Sequence, residues 1–461
     1  MTRIHLIGIG GTGISAIARV LLEMGHTVSG SDRVESPFTR DLQSAGVTIH
    51  IGHRPENVVG VDLVVRSSAI PDNNPEVSAA RAARIPVLKR ANFLGSLMEG
   101  KTGIAIAGTH GKTTTTAMLA WMLTALNQDP SFIVGGVLTN LGVNARAGKG
   151  NAFVIEADEY DRMFLGLKPA IEVVTNIEHD HPDCYPTLAD LQAAFMEFVQ
   201  RLPANGTLIA CSEDPGAFAL LNKAEKIGEA VLTYGLKPRS SDGREIDTYT
   251  SLISVNGKGG FTFSACVLGD SVTVELQVPG KHNILNALAA LTVVKLLGLP
   301  LAGAAEALNQ FAGTGRRFEV RGEVNGITVI DDYAHHPTEI QATLAAARYR
   351  YPRSTLWVVW QPHTYSRTQA LLDDFANSFG NADEVIVTEI YAAREPKRDF
   401  SSRQVVDAMP RLAQFIASLS EVSNYLISHL RPGDVLLVLS AGDADQISTN
   451  VLTHLKEVQN G

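Results

Sequence analysis

Between residues 104 and 116 the chain reads Ile104-Ala105-Ile106-Ala107-Gly108-Thr109-His110-Gly111-Lys112-Thr113-Thr114-Thr115-Thr116. An apolar run with strand character stops at a glycine-bounded loop. A lysine and threonines then open an apolar-periodic stretch through Met118, Leu119, Trp121, Met122, Leu123 and Leu126. Strand, tight loop and helix make a phosphate cradle, because small residues let backbone N–H groups close on an anion and the helix N-terminus adds positive potential. Gly108, Thr109, His110, Gly111 and Thr114 would wrap the phosphates, Lys112 would reach the outer ones, and the Thr113 hydroxyl would face Mg²⁺. The strict eight-residue pattern asks for glycine at position 106, where this chain has Ile106, so the loop is a shortened variant. The expectation is an ATP or GTP site, and an ordinary glycine-rich turn is the alternative.

Two strand tips carry acids. Phe153-Val154-Ile155 runs into Glu156-Ala157-Asp158-Glu159, and Ile171-Glu172-Val173-Val174 runs toward Asn176-Ile177-Glu178-His179-Asp180-His181. In open α/β sheets ligands gather at the carboxyl ends of strands, so both tips are expected to face the loop. A carboxylate there completes Mg²⁺ coordination with nucleotide phosphates, while helix capping is the bland alternative. The His179-Asp180-His181 cluster does not read as zinc: no cysteine is near, and alternate residues of an extended strand point to opposite faces.

A second glycine pattern lies at the N-terminus. The strand Ile4–Ile7 leads into Gly8-Ile9-Gly10-Gly11-Thr12-Gly13 and an apolar-periodic helix through Leu22, with Asp32 about 20 residues on. The spacing selects a diphosphate near a helix N-terminus, which NAD and a UDP-sugar both carry; a plain tight turn is the alternative. The strand at 62–66 ends in Ser67-Ser68, a further candidate ligand edge. Pro279-Gly280-Lys281-His282-Asn283-Ile284-Leu285-Asn286 opens a long apolar helix to Leu297. Asn283 and Asn286 share one of its faces and suit a base or polar backbone, with helix capping as the other reading for Asn283. After Gly313-Thr314-Gly315-Arg316-Arg317-Phe318, four strand tips carry polar clusters: 331–337, 361–367, 388–395 and 440–443. Together they read as a binding face on one sheet edge. The paired arginines are either a solvated pair or a phosphate clamp at a domain junction.

These tips need sheets to hold them. A chain of 461 residues with 45% hydrophobic and 19% charged residues is a globular protein of about three domains. Alternating strand and helix signals predict an α/β fold. Residues 1–99 are expected as a Rossmann-like domain, 100–313 as a P-loop ATPase domain, and 314–461 as a second Rossmann-like domain. The central sheet is expected to be mainly parallel, with small antiparallel strands over 247–278. A formal charge of -9 with both signs mixed argues against a nucleic-acid or anionic-membrane surface. Cys184, Cys211 and Cys266 are far apart, form no CxxC and suit a reducing cytosol. The absence of a signal segment or an apolar run near ~20 residues leads to the expectation of a cytoplasmic protein.

In this order the motifs resemble the Mur ligase family. Besides the two glycine loops, the resemblance rests on Glu-Ala-Asp-Glu, Asn-Ile-Glu-x-Asp-His, His-Asn-x-x-Asn and Gly-Thr-Gly-Arg-Arg-Phe. Asp-Asp-Tyr-Ala-His-His-Pro, Gln-Pro-His-x-Tyr-Ser-Arg-Thr and Ile-Tyr-Ala-Ala-Arg-Glu complete it, over essentially the whole length. It implies an N-terminal domain for a UDP-sugar, a central ATPase and a C-terminal domain for an amino acid. The closest branch adds L-alanine to the lactyl carboxylate of UDP-N-acetylmuramate, with ATP as co-substrate and Mg²⁺ as cofactor, as a monomer or homodimer.

By matching position, the resemblance puts Lys112 on the outer phosphates and Thr113, Glu156 and His181 on Mg²⁺. His282 and Asn283 fall beside the adenine with Asn286 in the same motif, while Arg317 and Asp332 reach the nucleotide from the C-terminal domain. Tyr333, His335, His363 and Arg367 face the amino acid, whose carboxylate suits the Arg367 fork. Gly10, Gly11, Gly13, Asp32, His53 and Ser67 line the UDP-sugar site. Lys112, His181, Asp332 and His335 are the catalytic candidates.

Two departures matter. Some members have arginine where Thr364 stands, which shifts carboxylate recognition toward Arg367 and His363. Sister ligases carry a carbamylated lysine that bridges two Mg²⁺; no lysine occurs here between His181 and Lys223, and Phe195 lies near that place. That fits the alanine-adding branch and leaves the ligands of a second Mg²⁺ open. Other readings explain less. A recycling ligase would attach a tripeptide to the same sugar, and a folylpolyglutamate synthetase lacks this N-terminal domain. An NAD-dependent oxidoreductase leaves the P-loop idle, and a nucleotide-gated switch needs no third polar sheet edge.

Overall fold

The structure is a computed structural model that describes residues 1–393 and 395–460. Arg394, within the Ile-Tyr-Ala-Ala-Arg-Glu motif, lies outside the described residues. Three sheets divide the chain. The first is five-stranded and wholly parallel, with Arg3–Ile7 at its centre between Thr27–Asp32 and Leu63–Arg66. The helix Thr12–Glu23 packs on it through Ile14, Ile17, Val20 and Leu21, apolar residues recurring at three- and four-residue spacing.

The second sheet has ten strands. Its centre is Thr102–Ala107, flanked in parallel by Ala152–Glu156 and Ile171–Val174, so the P-loop and both acidic tips leave the same edge. Thr248–Val255, Phe261–Val267 and Asp270–Glu275 extend it as an antiparallel meander. The helices Lys112–Ala125 and His282–Leu296 are apolar nearly all round and buried between neighbours. The third sheet is six-stranded and parallel except for its edge strand Glu319–Val324. Its strand Val435–Ser440 is buried throughout, because separate apolar clusters cover the two faces.

One hydrophobic core runs without a break from the first sheet into the second. The third sheet keeps its own two clusters and meets the others chiefly through polar groups. Arg367 bonds Asp180, His110 pairs with Glu339, and Thr338 bonds Glu178. The first two units thus share one apolar body, while the third is fastened by contacts that water can replace. No helix among the described residues is long and apolar enough to cross a membrane.

Glu172 is anomalous within the central sheet. It is fully buried, and neither carboxylate oxygen has a hydrogen-bond partner among the described residues. Burial, reinforced by Glu229, pushes its pKa well above the usual carboxylate range. The folded state then holds a proton that the unfolded chain releases. That stabilisation is complete below the unfolded pKa and is lost as pH rises toward the folded value. Glu172→Gln replaces the protonated carboxyl by an amide of the same size that the unfolded chain cannot ionise, and is expected to raise the melting temperature at pH 8. Calorimetric melting at pH 8 and pH 5 checks this: a gain at pH 8 that shrinks at pH 5 is expected, and equal gains would contradict the proton account.

Candidate active site

The loop after Thr102–Ala107 is a cradle held from outside. Gly111 caps the following helix with φ +81°, and a Cβ there would lie 2.7 Å from Asn286 Oδ1. Gly108 has φ +133°, and its Cβ would lie 2.0 Å from Thr175 Oγ1. Only glycine fits either place. The second acidic tip braces the loop: Thr109 N–H donates to Asn176 O at 3.0 Å and His110 N–H to Asn176 Oδ1 at 2.8 Å.

Lys112 points into the first acidic tip. Its ammonium donates to Glu159 at 2.8 and 3.0 Å and to Gly108 O at 2.5 Å. Burial pushes its pKa down, but the carboxylates of Glu159, Asp158 and Glu156 outweigh burial and raise it, so it is a cation at neutral pH. Thr113 Oγ1 donates to Glu156 Oε1 at 3.1 Å, and Gly135 N–H to Glu156 Oε2 at 2.7 Å. A hydroxyl and a carboxylate converging at the cradle mouth are the hard oxygen donors that Mg²⁺ requires, so these residues fit the ion. His181 lies on the same cavity, its Nε2 3.8 Å from both Glu159 and Asp180. His179 is turned away onto Tyr185 O at 2.9 Å.

Two adjoining cavities meet at the cradle. The first is bounded by Gly111, Thr114, His282, Asn283, Asn286, Arg317 and Asp332. Asn283 sits inside its helix rather than capping it; Lys281 holds the cap position. Asn283 donates to Pro279 O at 2.6 Å and accepts from Asn286 Nδ2 at 2.9 Å, so the two amides form one buried chain. Burial lowers the His282 pKa to about 4, which leaves a neutral ring. Burial raises Asp332 to about 6 against the opposing charge of Arg317, and its two oxygens accept Phe318 N–H and Ala334 N–H at 2.7 Å each.

The second cavity joins all three units: Thr12 and Phe38 from the first, Lys112, Thr113, Glu156, Asp180 and His181 from the second, and Tyr333, His335, His363 and Arg367 from the third. Burial lowers the His335 pKa to about 4, and its Nδ1 lies 2.9 Å from Tyr333 O. His363 lies 3.3 Å from Arg367 Nη1. Arg367 is 3% exposed, and its Nε donates to Asp180 Oδ1 at 2.7 Å. Its two terminal nitrogens are therefore the ones left to meet a further carboxylate. Arg316 and Arg317 both lie over the Tyr333 ring, at 5.3 and 5.0 Å. Arg316 donates to the Ser440 and Gly442 carbonyls, and Arg317 lies 3.6 Å from Glu339, so neither is a freely solvated surface arginine.

In the first unit, Asp32 closes the glycine turn by accepting Gly10 N–H at 2.8 Å on one carboxylate oxygen. Ser67 packs on the same turn, its Cβ 3.1 Å from where a Gly8 Cβ would lie. Gly11 begins the helix beside Gly13, whose missing Cβ would fall 1.8 Å from Arg90 Nη1. His53 stands behind the turn: its Nδ1 lies 3.1 Å from Ser31 Oγ and 3.0 Å from Glu76, and the Ser31 carbonyl accepts Gly8 N–H and Ile9 N–H.

Arg90 is a group that the motifs did not reveal: its Nε is buried without a hydrogen-bond partner among the described residues, and Nη2 lies 3.6 Å from Asp158. Glu159 and Glu178 lie in motifs that gave them no role, and Glu339 lies in none. The signal available for Glu339 was its place three residues after His336, on the first turn of the helix Pro337–Arg350.

Comparison with known proteins agrees with this three-part assembly. Family models match in sequence order: "Mur ligase family, catalytic domain" over residues 3–102, "Mur ligase middle domain" over 106–294 and "Mur ligase, glutamate ligase domain" over 316–442. A UDP-N-acetylmuramate–L-alanine ligase of Solidesulfovibrio magneticus is 43% identical over 98% of this chain and 97% of its own length. One of Acidithiobacillus ferrooxidans is 45% identical over 95% of each. Among solved structures, the UDP-N-acetylmuramate-alanine ligase of Thermotoga maritima superposes with a TM-score of 0.83 at 30% identity, covering 99% of this chain and 100% of its own. A murein peptide ligase of Psychrobacter arcticus gives 0.73 at 29% identity, over 99% of each chain. Three matched domains in order, a shared cavity and full-length likeness establish that the chain belongs to the Mur ligase family.

Proposed function

We propose that the chain joins L-alanine to the lactyl carboxylate of UDP-N-acetylmuramate at the expense of ATP, a step of peptidoglycan precursor synthesis in the cytoplasm. The observation that carries this reading is the cavity in which the glycine-turn unit, the P-loop and the third sheet's polar tips face one another. The lactyl carboxylate attacks the γ-phosphorus, the bond to the β-phosphate oxygen breaks, and ADP leaves. The resulting acyl phosphate has a good leaving group where the carboxylate had none. The alanine amine adds to its carbonyl, and the tetrahedral adduct collapses to the amide as phosphate departs.

Lys112 neutralises charge on the transferring phosphoryl oxygens, and Thr113, Glu156 and His181 would hold the magnesium. Bound magnesium supplies further charge neutralisation on the phosphates. Gly10, Gly11 and Gly13 with Ser67 carry the UDP diphosphate, and Arg90 adds the cation. His282, Asn283 and Asn286 hold the adenine end, with Arg317 and Asp332 closing over it. An attacking amine must lose a proton, and His335 on the shared cavity offers it a neutral, weakly basic ring nitrogen. Its ring is neutral, and with Nδ1 given to Tyr333 O its Nε2 is an acceptor. His363 and Arg367 orient the alanine carboxylate, with the Tyr333 ring beside them.

The test is phosphate release from ATP and Mg²⁺ with UDP-N-acetylmuramate, run with L-alanine, with a cell-wall tripeptide and with no amine. Release that requires L-alanine, with the product mass of the amide, is expected. Release only with the tripeptide would move the chain to the recycling branch. Silence in all three arms, with nucleotide still bound, would leave a switch in place of a ligase.

A further inference from the structure

Between the P-loop and the third sheet stand three metal-capable side chains whose chemistry the ligation does not use. His110, Glu178 and His336 bring one ligand atom each within 4.8 Å of one another. His110 Nε2 lies 3.4 Å from Glu178 Oε2, and His336 Nδ1 lies 3.9 Å from the same oxygen. Donors bound about 2.0–2.1 Å from one tetrahedral cation stand roughly 3.4 Å apart, so small side-chain adjustments complete the geometry.

The supporting shell is already built. His110 turns its other ring nitrogen to Glu339 at 3.2 Å, the carboxylate–imidazole arrangement that orients a metal-binding histidine. Thr338 Oγ1 donates to Glu178 Oε2 at 2.7 Å, and the long 3.4 Å contact of Thr338 N–H with His336 Nδ1 is the one bond that a cation on that nitrogen would displace. His336 is 5% exposed, and the Nε2 atoms of both histidines are buried without a hydrogen bond among the described residues. Two buried imidazoles beside two carboxylates make a site for a cation.

The donor set decides which cation. Two imidazoles and one carboxylate suit a zinc-class dication, whereas Mg²⁺ takes oxygen donors. Glu156 and Thr113, the oxygen pair at the cradle mouth, bound the other cavity. We propose that His110, Glu178 and His336 form a zinc-class metal site that, when occupied, pins the C-terminal unit onto the P-loop. Two ligands come from the central unit and one from the C-terminal unit, so one ion ties together parts that otherwise meet through polar contacts. His110 and Glu178 also line the cavity bounded by His282 and Asn283. Pinning there slows exchange of a bound nucleotide. The site itself stands on geometry alone; only its effect on nucleotide exchange draws on the ligase reading.

Calorimetric titration of the full chain with Zn²⁺, in excess Mg²⁺, tests the site. One ion per chain is expected, with Co²⁺ giving the visible absorption of tetrahedral coordination. Glu178→Gln and His336→Gln are each expected to weaken Zn²⁺ binding by at least about 10–100-fold. Glutamine at 336 keeps an acceptor for Thr338 N–H, and circular dichroism checks that both variants fold. Glu156→Gln leaves Zn²⁺ affinity unchanged. No binding to the wild type, binding within twofold of wild type in both variants, or loss in Glu156→Gln would overturn the assignment. Release of a fluorescent ATP analogue reads the pinning: Zn²⁺ is expected to slow it about tenfold, or 1.4 kcal/mol, in the wild type and not in His336→Gln. Unchanged release from the Zn²⁺-loaded wild type would overturn the pinning.

Discussion

Lys112→Met is expected to lower amide formation by at least about 10²–10³-fold, while UDP-N-acetylmuramate still binds. The side chain of Lys112 is 13% exposed, and its ammonium faces Glu159 at 2.8 Å with Asp158 and Glu156 also acting on it. Removing it therefore does more than delete one cation. The carboxylates then face the triphosphate without their counter-charge in a cavity where water screens poorly, so attraction becomes repulsion. In the resting arrangement Glu159 holds the ammonium, and transfer to phosphate requires Lys112 to exchange that partner. Glu159→Gln is accordingly expected to weaken the hold on Lys112 and change kcat more than UDP-sugar affinity. Phosphate release and calorimetric binding of UDP-N-acetylmuramate measure the two effects separately. The glycine turn proposed to carry the sugar nucleotide lies in another sheet, so equal loss of both in Lys112→Met would contradict the division of labour.

What the sequence made legible follows the range of each interaction. The P-loop, the N-terminal glycine turn and the Asn283–Asn286 pair are encoded within a few residues, because tight turns and helix faces are local constraints. The α/β architecture was readable from strand and helix periodicity, and so was the antiparallel meander over 248–275. The partners of those groups were not readable. His110 pairs with Glu339 across 229 residues and Asp180 with Arg367 across 187, and no periodicity links positions so distant. Lys112 looked like a free phosphate ligand because its local motif says nothing of Glu159. Asp32 likewise was placed by spacing alone, which says nothing of the Gly10 N–H that its carboxylate accepts. Motifs thus identified which groups are present, and tertiary packing decided which are available.

The Asp180–Arg367 pair turns that distinction into a measurable effect. Both residues are buried, 4% and 3% exposed, and their contact joins the central and C-terminal units. Burial alone would raise the Asp180 pKa, but the Arg367 guanidinium holds it well below the usual carboxylate range. Asp180→Ala leaves a buried guanidinium without its counter-charge, at a cost of about 3–5 kcal/mol. Because the units share few apolar contacts, separation of the C-terminal unit relieves that cost more readily than global unfolding does. The expected result is a more open molecule by small-angle scattering and a kcat/KM for alanine lower by roughly 10²–10³-fold. The double variant Asp180→Ala with Arg367→Met separates the two duties of the arginine. Replacing a whole buried pair by apolar groups is often neutral for packing, so compactness should return. The alanine KM should stay high, because the carboxylate has lost its guanidinium. Recovery of both in the double variant would assign Arg367 to domain closure alone. An Asp180→Ala chain as compact and as active as the wild type would show that the pair does not hold the units together.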